Sequence, residues 1–230
     1  MNLRLRLALL LAAALTACSP HVEGNGVYAE RVFDASKLKP FDRVAIGLPG
    51  VETDGKPPSA SIFASESVRQ VVLSGDENLL QHIEVAVDES GTLRTATKLD
   101  SYTAVHPPQL RIKVQTLVEA EAIAGASITV LDAAAPTFEV TAADHGHVTL
   151  TGEGGSALVV VLSGGAQLDA SGYPVVSAQL ALTGGSRATV WPSGLVSGSA
   201  AGASAVLLKG GVACGAELTL SSGSTCGPLQ

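Results

Sequence analysis

The sequence predicts an all-β protein, a solenoid of strands with rungs of about twenty residues. Apolar residues recur in columns: Ile128, Val148, Leu168 and Ala188 step by 20, and Val130, Leu150, Ala170 and Val190 do the same. A second strand per unit gives Phe138, Leu158, Ala178; Val140, Val160, Leu180, Ala200; and Ala142, Leu162, Leu182. Turn signals punctuate these runs at Ser163-Gly164-Gly165, Thr183-Gly184-Gly185 and Ala201-Gly202. A fixed period built from short alternating apolar runs is the signature of a solenoid, in which each rung stacks its side chains on the rung before. Composition agrees. Hydrophobic residues make up 46% of the chain but aromatics only 3%, so the core must be Val, Leu, Ile and Ala, which suits narrow stacked strands.

Taken in order, the chain opens with Arg4 and Arg6, then an apolar run from Leu7 to Leu15 that is too short for a permanent span and has the form of an export leader. It ends in Leu15-Thr16-Ala17-Cys18, which resembles a bacterial lipobox. That resemblance implies cleavage after residue 17 and lipid on Cys18, giving membrane attachment through two or three acyl chains, which hold where one chain does not. The alternative is an ordinary leader with a chance cysteine. Ser19 in place of Asp, by the sorting rule of such signals, implies the outer membrane of a two-membrane cell. Residues 18–40 are polar and glycine-broken and read as the lipidated Cys and a flexible tether.

Structure is expected from Phe41. Val44 and Ile46 alternate with polar neighbours; Pro49-Gly50 turns, Val51 resumes, and residues 54–58 make a loop. Ser61 to Phe63 and Val68 to Leu73 read as strands, and residues 77–83 as a turn or two of helix. Residues 84–87 and 92–94, joined by Asp88-Glu89-Ser90-Gly91, read as a hairpin. Pro107-Pro108 marks a soft boundary near 101–109 before the alternating Leu110, Ile112 and Val114. The repeat is most regular over residues 125–220, and its last unit is two residues shorter, so that Val206, Leu208, Leu218 and Leu220 continue the columns at a step of 18.

The segments Phe41-Asp42-Arg43-Val44, then residues 72–83, then Asp88 to Leu93, followed by the glycine-turned repeats, resemble the autotransporter adhesin head (GIN) domain family, a family of unknown function. The likeness spans roughly residues 41–211 and is most specific over residues 72–93. It implies a right-handed parallel β-helix, here over residues 41–230, on an exported or lipid-anchored envelope protein, and no activity. This chain has Ser163-Gly164-Gly165 and Thr183-Gly184-Gly185 where Ser-Gly-Ser-Gly turns are usual.

Charge excludes some partners. With residues 1–17 removed, the chain carries 12 basic against 21 acidic residues, a formal −9, which disfavours nucleic acid. Only 8 of the charged residues lie beyond residue 124, so the surface of the repeat is expected to be rows of Ser and Thr. Once Cys18 is set aside, Cys214 and Cys226 form an even pair twelve apart, either a disulfide that staples the last rung in an oxidising envelope or two reduced thiols.

No catalytic, metal or cofactor site assembles itself. His145 and His147 stand at i and i+2 beside Asp144, but the positions one rung away hold Gly125, Ala126, Ser127, Gly165, Ala166 and Gln167, so no ligand set completes itself. Isolated His21, His82 and His106 read as surface. Glycan-cleaving enzymes on stacked strands place acids on adjacent rungs, and Glu119 and Glu139 make the one such pair, with Glu139 pointing outward beside inward Phe138 and Val140. The run from Leu158 to Leu162 is apolar on both faces, so Val159 and Val161 are either covered by another segment or meet a second copy of the chain. The expectation is a lipid-anchored, non-enzymatic envelope protein offering a polar sheet to a surface polysaccharide or another envelope protein. The alternatives are a polysaccharide-active enzyme and a structural or signalling lipoprotein with a protein partner.

Overall fold

The computed structural model describes residues 21–34, 36–48, 57–64, 66–99 and 101–229. Cys18, the leader, Pro49 to Val51 and residues 54–56 lie outside them. The chain forms β1 (Val22–Glu23), β2 (Tyr28–Phe33), β3 (Arg43–Gly47), β4 (Ser59–Ala64), β5 (Gln70–Asp76), a one-turn helix α1 (Glu77–Leu80), β6 (Ile83–Val87), β7 (Thr92–Thr97) and β8 (Tyr102–Thr103). Then come β9 (Gln109–Val114), β10 (Glu119–Ile123), β11 (Ser127–Ala133), β12 (Thr137–Ala142), β13 (His147–Gly152), β14 (Gly155–Leu162) and the long β15 (Gln167–Leu182). The last strands are β16 (Arg187–Pro192), β17 (Val196–Ala200), β18 (Ala205–Leu208), β19 (Leu218–Leu220) and β20 (Thr225–Pro228). The protein is all-β, with a mixed sheet.

Two parallel ladders organise the strands. The first runs β7, β3, β10, β12, β14, the second half of β15, β17 and β19; the other runs β9, β4, β11, β13, the first half of β15, β16, β18 and β20. Antiparallel strands close the N-terminal end: β6 on β7, and β5 on β9 with β2 on β5. Chain order is not spatial order, because β3 lies between β7 and β10, and β4 between β9 and β11. The soft boundary at 101–109 therefore separates nothing; strands on either side of it share one stack.

The predicted columns are the observed registers across most of the repeat. Ile128, Val148, Leu168, Ala188, Val206 and Cys226 follow one another, as do Phe138, Leu158, Ala178 and Val196. The inward residues from Ile128 to Leu182 are almost wholly buried, as alternation on a pleated strand requires. Ala200 departs from expectation: it pairs with Leu182, and Gly198 takes the place below Leu180. The shortening by two already acts at β17, and Leu218 and Leu220 return to a step of 20, opposite Gly198 and Ala200. The cause is the corner before β17, where residues 171–173 of β15 bulge without partners in β16. The bulge turns Tyr173 inward, its ring edge-on to Phe138 at 5.9 Å and its hydroxyl donating to the Ala135 carbonyl at 2.8 Å.

Each first-ladder strand enters its second-ladder neighbour through a tight turn with two residues in the left-handed region. These are Ala124 and Gly125, Asp144 and His145, Gly164 and Gly165, Gly184 and Gly185, Gly202 and Ala203, Ser222 and Gly223. Gly146 N–H donates to the Ala143 carbonyl at 2.9 Å and Ala166 N–H to Ser163 at 3.2 Å, the pattern of type I′ turns, whose twist matches that of paired strands. The turns also bond to each other. His145 N–H reaches the Gly164 carbonyl at 3.0 Å, Gly165 that of Gly184 at 2.8 Å, and Gly185 that of Gly202 at 2.7 Å.

Residues 18–40 are not the tether that their composition suggests. β1 pairs with β8, and β2 lies antiparallel along β5 from Tyr28 opposite Asp76 to Phe33 opposite Val71. β2 is an edge strand that packs only Ala29 and Phe33 on the core, so its alternation is too weak to stand out among polar neighbours. The segment is fastened by the start of α1. Buried Asp76 accepts the N–H groups of Val105 at 2.8 Å and His106 at 3.2 Å, and meets His106 Nδ1 at 2.9 Å. Asn78 accepts from the Asn25 N–H at 2.9 Å and donates to the Glu23 carbonyl at 2.7 Å. A side chain at Gly24 would collide with the Asp76 carboxylate.

Behind this clasp Leu79, Leu99, Tyr102 and Ala104 form a small core with Val22. The Tyr102 hydroxyl is buried with no partner among the described residues, and burial pushes the phenol pKa up. Tyr102→Phe removes a desolvated hydroxyl while keeping the ring, so the variant is expected to match the parent or gain up to about 1 kcal/mol. The midpoint of chemical denaturation measures this; a loss of stability would mean that the hydroxyl is partnered.

Candidate functional site

A cleft of about 520 Å³ opens beside the first rungs, where four connecting segments meet. Pro40 to Asp42 lead into β3, Ser67 and Arg69 precede β5, Gly91 turns the β6–β7 hairpin, and Val114 to Thr116 leave β9. Backbone bonds fix these segments: Asp42 N–H to the Gly91 carbonyl at 3.3 Å, Val118 N–H to Asp42 at 2.8 Å, and Glu66 N–H to Val114 at 3.1 Å. Buried Phe41 anchors one wall, and the Arg69 guanidinium sits 5.9 Å from its ring while donating to the Leu38 carbonyl at 3.2 Å. A smaller hollow of about 110 Å³ adjoins through Gln115 and Thr116 and is lined by Leu117, Ala135 and Pro136. Asp42, Ser67, Arg69, Gln115 and Thr116 thus bring carboxylate, hydroxyl, guanidinium and amide groups to one concave wall over an apolar floor. That is the chemistry of a site for a polar, many-hydroxyl ligand.

An ionic network flanks the cleft. In the hairpin turn Asp88 accepts from the Ser90 hydroxyl at 2.6 Å, the Ser90 N–H at 2.9 Å and the Thr92 N–H at 3.0 Å, and pairs with Arg94 Nε at 2.7 Å. The Ser90 hydroxyl first, then Arg94 and the Thr92 N–H, hold the Asp88 carboxyl far below the usual carboxylate range. Arg94 also reaches Glu121 at 3.2 Å, across small Ala45, which lies between them in the ladder. Next to it Arg43 donates to the Ser90 carbonyl at 3.0 Å and pairs with Glu119 at 3.2 Å.

Glu119 and Glu139 do stand side by side in register. Partial burial raises the Glu119 pKa, the Glu139 charge raises it further, and Arg43 opposes both. Glu139 itself is exposed, as expected. This face therefore presents ordered, mostly paired charges rather than two free carboxyls across a gap.

The other sequence candidates disperse. Cys18 is outside the described residues. Cys214, in the loop before β19, and Cys226, on β20, have their Sγ atoms at bonding distance and Cα atoms 6.1 Å apart. His145 and His147 do not share a strand face: His145 has φ of 66° in the turn, where its ring lies over Gly165, while His147 begins β13 and contacts Thr149 at 3.3 Å. His21 meets Ser101 at 3.0 Å, and His106 belongs to the Asp76 clasp. Val161 is 46% exposed, so nothing among the described residues covers that strand face. The outward rows are mixed rather than pure Ser and Thr: Ser61, Thr129, Thr149, Asp169 and Thr189 in one, Ser127, His147, Gln167 and Arg187 in the next.

The cleft escaped the sequence reading because each of its walls is a single break between strands. The one hint was Phe41-Asp42-Arg43, which the family resemblance had singled out.

The depressed Asp88 carboxyl stabilises the hairpin while it is ionised. Its contribution is complete above the unfolded carboxylate value near 3.8 and is lost as pH falls below it. Asp88→Asn is expected to lower Tm at pH 7, with the gap to the parent closing as the pH drops below about 3.8. Thermal melts across pH test this; a gap independent of pH would assign the loss to hydrogen-bond geometry alone.

No curated protein gives a significant match to this chain. Three solved structures resemble it at low identity, a likeness of fold. A "putative adhesin" from Bacteroides fragilis NCTC 9343 has 13% identity, covering 90% of this chain and 98% of that one, with a TM-score of 0.64. A "putative adhesin" from Parabacteroides merdae ATCC 43184 has 15% identity, 91% and 99% coverage, and a TM-score of 0.57. A "putative lipid binding protein" from Parabacteroides distasonis ATCC 8503 has 15% identity, 92% and 100% coverage, and a TM-score of 0.55. The family described as "Putative auto-transporter adhesin, head GIN domain" matches residues 60–211, and the chain belongs to that family.

Proposed function

We propose that this chain is a non-enzymatic adhesion or interaction domain carried on a cell-envelope lipoprotein, anchored by lipid on Cys18 in the outer membrane. Its ladders are taken to coil as a right-handed parallel β-helix, a reading supported by successive strands alternating between two parallel stacks at a nearly constant step. The observation that carries the functional reading is the cleft at the first rungs, with Asp42, Arg69, Gln115 and Thr116 on its walls and a fixed ionic rim beside it. Such a wall recognises hydroxyls and amides of a glycan, and the polar rows above it extend the contact by many weak bonds that membrane crowding makes effective. The description of two of the solved relatives as adhesins points the same way. Arg43, held against Glu119, weighs against a hydrolytic carboxylate pair.

The test uses residues 19–230 on a panel of envelope and matrix polysaccharides, recording retention and chain length. Retention without shortening, weakened about tenfold by Arg69→Ala, is expected; tenfold corresponds to one charge-assisted bond. Shortened chains, abolished by Glu119→Gln, would make the protein an enzyme. Retention of a protein after crosslinking on cells, with no glycan retained, would favour the protein-partner reading. A change of assembly state on Val159→Lys with Val161→Lys would instead locate contact between copies on that face.

Cys214 and Cys226 are proposed to form a disulfide in the envelope. It would pin the loop of residues 209–217, which packs Val212 on the end of the core, to the last strand. Reduction, or Cys226→Ser, is expected to cost about 2–3 kcal/mol for a loop of this length. Equal denaturation midpoints with and without reductant would show two free thiols.

A further inference from the structure

The N-terminal end of the described chain is clasped to the cap. Val22 pairs with Tyr102, the Gly24 N–H donates to the Thr103 carbonyl at 2.7 Å, and the Glu77 N–H donates to the Val27 carbonyl at 2.8 Å. His21 is three residues beyond Cys18, and three residues of extended chain reach about 10 Å at most. On the reading of Cys18 as the lipid-bearing residue, on which this inference rests, the bilayer lies within that distance of His21.

The surface around this point is apolar where it is most exposed. Val27 is 52% exposed, Tyr28 54% and Val105 63%. They belong together: a Cβ at Gly26 would stand 3.8 Å from Val105 Cγ2, and the Tyr28 ring lies edge-on to His106 at 5.7 Å. Their backbones are fixed, since Asp76 holds the Val105 N–H and α1 holds the Val27 carbonyl. Three apolar side chains kept outward by a buried carboxylate are a built surface. A tyrosine with its ring in apolar surroundings and its hydroxyl on Glu30, at 2.8 Å, suits the boundary between water and lipid.

We infer that this end of the cap is the membrane-facing surface of the protein, with Val27, Tyr28 and Val105 seated in the interfacial layer of a zwitterionic bilayer. The carboxylates of Glu23, Glu30 and Glu77 ring the patch and disfavour an anionic surface. The patch is too small to hold the protein alone; lipid on Cys18 supplies the effective concentration that makes it sit down.

The experiment uses the full acylated chain in zwitterionic phosphatidylcholine vesicles with an environment-sensitive fluorophore on Val105→Cys. A second label on Ser199→Cys marks β17, six strands up the first ladder from β7 and so roughly 30 Å away at the spacing of paired strands. Expected are a blue shift and quenching by brominated acyl chains at 105, and neither at 199. Acylated protein with no quenching at 105 overturns this inference alone, as does equal quenching at both positions, which would lay the ladders flat on the bilayer. A blue shift at 105 in the lipid-free, unacylated protein of residues 19–230 would assign the patch to a second copy and also overturn it. Mass spectrometry showing Cys18 unmodified in the membrane-extracted protein would overturn the anchor reading beneath it.

Discussion

The structure depends on one interaction, the hydrogen bonding of each rung to the next along its whole length, turns included. The strands pair in parallel, and between them the turn residues continue the bonding, as in His145 to Gly164, Gly165 to Gly184 and Gly185 to Gly202. A ladder that does not pause at its corners cannot tolerate a change in rung length without a compensating bulge. That constraint fixes the period near twenty and forces two left-handed residues at each turn. It also aligns every inward residue over its counterpart, so the core is filled by small aliphatic side chains of similar size. Where the rung shortens before β17, the strain appears in the neighbour, as the unpaired bulge of residues 171–173 that buries Tyr173.

A stack of this kind has two ends, and each would expose an unpaired rung. The N-terminal end is closed by a change of direction: β5 and β6 run antiparallel to the strands they cover. The C-terminal end has only four and three residues in its last strands, with Pro228 on the outermost one and the loop of residues 209–217 folded over the core. The cleft exists because of the first arrangement. It forms where the chain passes in and out of the cap, so connecting segments rather than strands supply its polar groups.

The repeat was legible because a parallel ladder demands the same class of residue at a constant interval, and Ile128, Val148, Leu168 and Ala188 display it openly. The β6–β7 hairpin was legible from its turn. Ala200 was misplaced since a step of 18 and one of 20 both land on an apolar residue, and only the bulge decides between them. β2 was read as tether because an edge strand needs few apolar residues. The Asp76 and Asn78 contacts were hidden for a different reason. Their partners lie some 30 and 50 residues away, so the residues that define the family most sharply serve to clasp the N-terminal segment, which no local pattern reveals. The cleft is likewise a product of which connections the topology brings together.

The insertion of β3 between β7 and β10 has a consequence for the order in which the molecule assembles. Neighbouring rungs of the repeat close spans of 20 residues, whereas Arg43 must find Thr92 and Glu119, spans of 49 and 76 residues. Loop closure grows only logarithmically with span, so the thermodynamic difference is about 1 kcal/mol, but the search is longer. The repeat can zip from any two adjacent turns, while β3 and β4 must slot into a groove with both walls already in place. The cap is then the last part to settle and the first to open, and the cleft exists only in the finished state. In a chain that leaves the cell unfolded, ligand recognition would be withheld until assembly is complete.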